Sequence, residues 1–142
     1  IVSQSSTGGF LSQQLSLSKK GINVLQDCIV EEATENKQEN VIFSVYTGEV
    51  DAGFVNEEAL SQVKDFVPVE GIRVLEYTDW LPNWALSISR KMPEKDREKV
   101  VAAIKRLSPG SPALKALKVN AFQVTQDSGY NPVREAAGMP RS

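Results

Sequence analysis

Histidine is absent from the 142 residues, and cysteine occurs once, as Cys28. Without imidazole the chain lacks the commonest metal ligand and the usual general base, so zinc chemistry and serine or cysteine triads built on histidine are excluded. A single cysteine closes no internal disulfide, and with nothing to activate it Cys28 reads as a small buried side chain rather than a nucleophile. No apolar run approaches the roughly 20 residues that span a bilayer, and no basic stretch leads into an apolar one at the N-terminus, so the chain as it stands reads as soluble. An excess of charge is missing too. Sixteen basic residues against eighteen acidic give a net charge of −2 and a pI near 5.3. That balance argues against a nucleic-acid face or a polybasic membrane patch and leaves small molecules and proteins as partners. There is no internal repeat and no low-complexity segment.

What is present suffices for a core. Hydrophobic residues make up 41% of the chain, and a chain of this length is expected to bury roughly two thirds of the surface that its unfolded form exposes. The spacing predicts a helix running from Phe10 to Lys20, opened by Ser6 or Thr7 and closed at Gly21. A second is expected over 38–46, with Val41, Ile42, Val45 and Tyr46 on one stripe, and a third after Asn56, carrying Ala59, Leu60 and Val63. Pro93 fits the first position of a further helix whose buried stripe is Val100, Val101, Ile104 and Leu107. Short helices are expected over 113–117 and 131–137. Between them, 22–25, 50–55, 72–77 and 84–89 have strand length and composition, and 121–124 reads as strand or loop. Helices and strands in alternation predict an α/β fold.

The segment Ser5-Ser6-Thr7-Gly8-Gly9 carries the most chemistry. Backbone amides at a helix start are unpaired and sit at the positive end of the helix dipole; glycines let an anion approach the main chain, and hydroxyls add donors. Such a site holds a phosphate-like group by neutral dipoles, and nothing in the segment moves a proton near neutral pH, so it suits binding without turnover. The plainer reading, that Ser6 or Thr7 only caps a helix, stands beside it. No Gly-Lys-Ser/Thr follows, so the segment is not a P-loop.

The other candidates are weaker. Glu31/Glu32 and Glu57/Glu58 are adjacent pairs and not two carboxylates facing each other across a cleft, although Glu58, one turn into its helix, is placed to reach one. Trp80, Trp84, Tyr46, Tyr77 and Tyr130 are too scattered for a stacking platform and are expected mostly in the core. Trp84 differs, because it follows Leu81-Pro82-Asn83 where an exposed ring is able to close on a ligand.

Together these motifs resemble the substrate-binding proteins of phosphonate and phosphate ABC importers, a branch of the type 2 periplasmic binding fold. The matching pieces are Ser6-Thr7-Gly8-Gly9-Phe10-Leu11, Gly48 to Val55 with its Asp51-Ala52-Gly53, Arg73-Val74-Leu75-Glu76 with Leu81-Pro82-Asn83, and Phe122 with Tyr130-Asn131-Pro132-Val133-Arg134. They occur in family order over nearly the whole chain. The resemblance implies two α/β lobes that close on a ligand, a phosphonate gripped by the Ser6 to Gly9 segment, no cofactor, no metal and no catalysis. Here Gly8 stands where the family has a third hydroxyl. Gln38 and Glu39 stand where the family often has a His-Asp pair. Glu58 matches an acidic position that meets the ammonium of aminophosphonates, and Asn83-Trp84 stand where those binders place an Asp.

Family members are about twice this length, so the resemblance further implies that residues 1–77 form the second lobe and 78–142 the return into an incomplete first lobe. Leu86, Ile88, Val101 and Ile104 are then expected to pack on a neighbouring chain, as a homodimer, or to fold back onto the second lobe. The implied setting is periplasmic or extracytoplasmic, the implied partners are a small anionic ligand and an ABC permease, and nucleic acid is not among them. Two alternatives share this architecture. One is the sensing domain of a histidine kinase or cyclase with its signalling partner; the other is the effector-binding domain of a transcription regulator.

Overall fold

Every regular element among the described residues is helical, and the expected α/β class is not what forms. The computed structural model describes residues 1–82 and 84–141, with the backbone but not the side chain of Val69. The chain divides into two units, one of Ile1–Pro82 with Ser128–Ser142 and one of Asn83–Asp127.

The first unit opens at Ser6, whose Oγ accepts the Gly9 amide at 3.1 Å. Thr7–Leu11 then winds as a π-helical turn, with the Leu11 amide donating to the Ser6 carbonyl at 2.9 Å, and passes into α1 (Ser12–Ser18). Phe10 points inward, almost fully buried, and stacks on Phe54 with ring centroids 6.4 Å apart. Gly21, at φ 82°, closes α1, and the Ile22 amide returns to the Leu17 carbonyl at 3.0 Å. A short α2 (Val24–Asp27) follows. Next come α3 (Gln38–Tyr46) and α4 (Glu57–Val63), which with the chain just after α4 make the core: Ile42, Ala59, Val63 and Val67, with Val55, Leu60 and Ile72 packed against it. Gly53 crosses α3 so closely that a Cβ there would fall 2.6 Å from Val41 Cγ1. The last helix, α7 (Asn131–Ala136), packs on α1.

The second unit contains α5 (Glu94–Lys105) and α6 (Pro112–Ala116). Ser111 caps α6 by accepting the Leu114 amide at 3.4 Å, and Leu114 is buried beneath it.

The helices expected around 12–18, 38–46, 57–63, 94–105 and 131–136 all form. The strands do not, and the reason is the lack of a neighbour. A β-branched run becomes a strand only when another chain segment takes its amides and carbonyls, and none of 50–55, 72–77, 84–89 or 121–124 joins a ladder among the described residues. The Val55 carbonyl instead accepts the Gln13 side chain at 3.2 Å. At 22–25 the Asn23 amide donates to Asp27 Oδ2 at 2.7 Å, and this local bond favours the turn of helix α2 over extension. The Ile1 carbonyl accepts the Ala33 amide at 2.8 Å and the Ile1 ammonium donates to the Glu31 carbonyl at 2.8 Å, but no ladder extends from these two bonds among the described residues.

Three burial expectations are also corrected. Trp80, Tyr77 and Tyr46 are exposed rather than core, whereas Trp84 is exposed as its position led one to expect. Cys28 is exposed at the end of α2. In α5, Val100 is exposed and Val101 and Ile104 are half-buried, since only α6 and irregular chain are available in that unit to cover them.

Candidate functional site

Three helix starts meet in the first unit, and two glutamines join them. Gln13, on α1, donates through Nε2 to the Gly8 carbonyl at 2.9 Å and to the Val55 carbonyl at 3.2 Å. Gln38, the first residue of α3, accepts the Asn56 amide on Oε1 at 2.9 Å. Asn56 caps α4, its Oδ1 accepting the Ala59 amide at 2.9 Å. Gly8 faces this cap, since a Cβ built on it would lie 3.8 Å from Asn56 Cβ. The result is a polar seam in which the turn at Thr7 to Gly9, the start of α3 and the start of α4 share one neighbourhood.

The amides of the opening turn divide into two kinds. That of Gly9 is taken by Ser6 Oγ and is not free for a solute. Those of Thr7 and Gly8, both half-buried, have no acceptor among the described residues. Ser6 Oγ accepts from Gly9, which leaves its hydroxyl proton to be donated elsewhere. Gly9 is itself buried, and a Cβ on it would fall 2.7 Å from Val2 Cγ2 and 2.9 Å from Ser6 Oγ, so the turn is packed from below and open only on the Thr7–Gly8 side.

The start of α4, beside the seam, is acidic. Glu57 and Glu58 occupy the first turn of α4, where they suit the positive end of the helix dipole, and both are exposed. Glu58 Oε1 accepts Gln62 Nε2 at the long distance of 3.5 Å. On the approach to α3, Lys37 binds the carboxylate of Glu35. That hydrogen bond, and then the charge it brings, hold the Glu35 carboxyl below its ordinary value and the Lys37 ammonium above its own.

Of the expected site residues, Ser6, Thr7, Gly8 and Gly9 lie on the opening turn, and Gln38 and Glu58 lie on the two helices beside it. Trp84 is exposed and belongs to the Asn83–Asp127 unit; Asn83 lies outside the described residues. Sequence reasoning missed Gln13, and it read Asn56 as a cap without seeing that Gln38 holds its amide. The available signal for Gln13 was an amide side chain one turn beyond a double glycine, the position from which it spans back to a first-turn carbonyl. A separate hollow of about 40 Å³ lies between α1 and α7, where Lys19 stands 3.7 Å from Asp79 and 3.9 Å from Glu135. It holds none of the expected residues and has room for little more than a water.

Chemically the seam offers donors without a proton carrier among Ser6 to Gly9, the equipment of a binding surface. The comparisons with known proteins agree in class. The family model for the phosphonate ABC transporter periplasmic substrate-binding protein matches residues 1–130 of the 142. The chain belongs to this family, a non-catalytic one that works outside the cytoplasm with a small solute and an ABC permease as partners. No curated protein and no solved structure matches the chain. Among the described residues no helix is long and apolar enough to cross a membrane.

Proposed function

We propose that this solute-binding chain holds a small phosphonate or phosphate-like oxyanion at the Thr7 and Gly8 amides, with the Ser6 and Thr7 hydroxyls as further donors. The convergence of Gly8, Asn56 and Gln38 in one seam is the observation that carries this reading. Neutral dipoles suffice for the anion, since each amide or hydroxyl directed at a charged oxygen makes a charge-assisted bond and the helix dipole adds to it. Gln38 keeps both amide protons for the solute, because its interaction with Asn56 uses only the oxygen. Glu58, exposed in the first turn of α4, gives an ammonium-bearing alkyl arm a partner; without such an arm it repels the anion and weakens the complex.

Melting of the chain with methylphosphonate, 2-aminoethylphosphonate, phosphate or sulfate tests this. A phosphonate is expected to raise the melting temperature, and Thr7→Val to weaken binding by about 1–3 kcal/mol. Preference for the amino compound that disappears in Glu58→Gln supports the placing of Glu58. If none of these oxyanions moves the transition, the anion site is withdrawn.

A further inference from the structure

The near-neutral charge of the whole chain hides a division between its two units. Asn83–Asp127 carries nine basic residues against four acidic, whereas the remainder carries seven against fourteen. Two of the four acids in Asn83–Asp127 are already engaged within α5, Glu94 with Arg97 at 3.6 Å and Asp96 with Lys99 at 3.3 Å. Lys95, Lys105, Arg106, Lys115 and Lys118 have no ion-pair partner among the described residues. Along α5 and its C-cap the basic groups are ordered: Lys95, Lys99 and Arg106 recur on the side opposite Val101 and Ile104, and with Glu98, Ala102 and Ala103 they line one open hollow, three cations against one carboxylate. The alanines leave the long basic stems with nothing bulky alongside.

We infer that this basic face of α5 docks the protein on an anionic phospholipid surface. Three features favour lipid headgroups over an acidic protein. The hollow is open, with no pocket for an anchoring side chain of the kind that dominates protein interfaces. Cations without an ion-pair partner occur outside α5 as well, at Lys115 and Lys118, so the unit's positive charge is spread along its sequence and not confined to one helix. Lysine predominates, a flexible point charge suited to many phosphates rather than to one fixed carboxylate. Basic residues near an anionic membrane each add attraction, and the effect fades within a Debye length. The setting agrees, because the family works beside a membrane-embedded permease. The docking face belongs to the Asn83–Asp127 unit and the seam at Gly8 to the other, and the inference does not depend on which solute is held there.

Flotation of the full chain with phosphatidylethanolamine–phosphatidylglycerol vesicles, against pure phosphatidylcholine vesicles, tests the inference. Binding is expected to the anionic vesicles alone and to vanish at high salt. The triple variant Lys95→Gln/Lys99→Gln/Arg106→Gln, which keeps good helix formers, is expected to lose roughly a hundredfold in partitioning at about fivefold per cation. The control Lys19→Gln/Lys20→Gln is expected to bind as the parent does. Equal binding to both vesicle types, no binding to the anionic ones, an unaffected triple variant of unchanged circular dichroism, or capture by polyglutamate or duplex DNA with no vesicle binding would each overturn it.

Discussion

Gln38 and Asn56 are joined by a bond from the Asn56 amide to Gln38 Oε1 at 2.9 Å, so the residue that opens α3 also fixes the residue that caps α4. A capping side chain is effective only when its backbone is held in the extended conformation, as Asn56 is at φ −80° and ψ 157°. Asn56→Ala is therefore expected to cost about 1 kcal/mol in urea unfolding, with Asn56→Asp near the parent. Gln38→Ala is expected to cost about 0.5–1 kcal/mol, the low end for a hydrogen bond, because the exposed Asn56 amide is then free to turn to water. An unchanged midpoint in both alanine variants would mean that the seam does not hold α3 and α4 together.

Gly8 and Gly9 are neighbours with opposite tolerance. A Cβ at 9 meets Val2 Cγ2 at 2.7 Å in a buried position, whereas at 8 the nearest atom is 3.8 Å away. Gly9→Ala is expected to lose about 1–3 kcal/mol by overpacking, and Gly8→Ala to be neutral or to gain a few tenths of a kcal/mol from the stiffer unfolded chain. The same Gly8→Ala variant is expected to weaken phosphonate binding, since its methyl group stands where the solute would approach the main chain. A destabilised Gly8→Ala with intact binding would reverse both assignments.

These two glycines show where the sequence is readable. Ser6 and Asn56 announce their helices because a cap is a local bond, made within three residues whatever lies further off. The run Ile72-Arg73-Val74-Leu75 also looks unambiguous by composition, yet it forms no strand. Strand formation depends on a partner that the run itself does not encode, and Ile72 satisfies its apolar surface on the α3–α4 core instead. The seam was half legible. Ser6 to Gly9 stood out by residue type, but Gln13 and Gln38 are ordinary glutamines until the fold brings Val55 and Asn56 against them. The basic face of α5 was obscured for a simpler reason: averaging charge over 142 residues cancels two units of opposite sign.

The Glu35–Lys37 pair sets a pH expectation of definite sign. Its carboxyl is lowered in the folded chain, first by the Lys37 hydrogen bond and then by its charge. Whatever the pair contributes is present above the ordinary carboxylate range and disappears as pH falls through the lowered value. Both side chains are exposed, so water screens the contribution strongly. Proton titration by NMR is expected to return the Glu35 carboxyl to its ordinary value in Lys37→Met or at high salt, with no displacement of the acid-unfolding midpoint. A midpoint that moves with Lys37→Met would show that the turn at Thr34–Asn36 matters to the whole unit.

Leu114 bears the burial of the Asn83–Asp127 unit almost by itself, as the one fully buried apolar side chain among the described residues there. α5 has twelve residues and buries none of them, and an isolated helix of that length is marginal in water. Its acidic first turn and the terminal Lys105 suit the dipole, but such terms supply only about 0.3–1 kcal/mol each. Local opening is governed by how much apolar contact is lost, so α5 amides are expected to exchange with solvent far faster than those of Val41 and Ile42 in α3. Leu114→Ala removes the packing that α6 and its Ser111 cap provide. The resulting loss, about 2–5 kcal/mol for a buried leucine, exceeds what the helix-end charges supply. Protection of α5 and α6 is expected to collapse in that variant while α3 and α4 keep theirs. Equal loss in both units would show that they unfold as one.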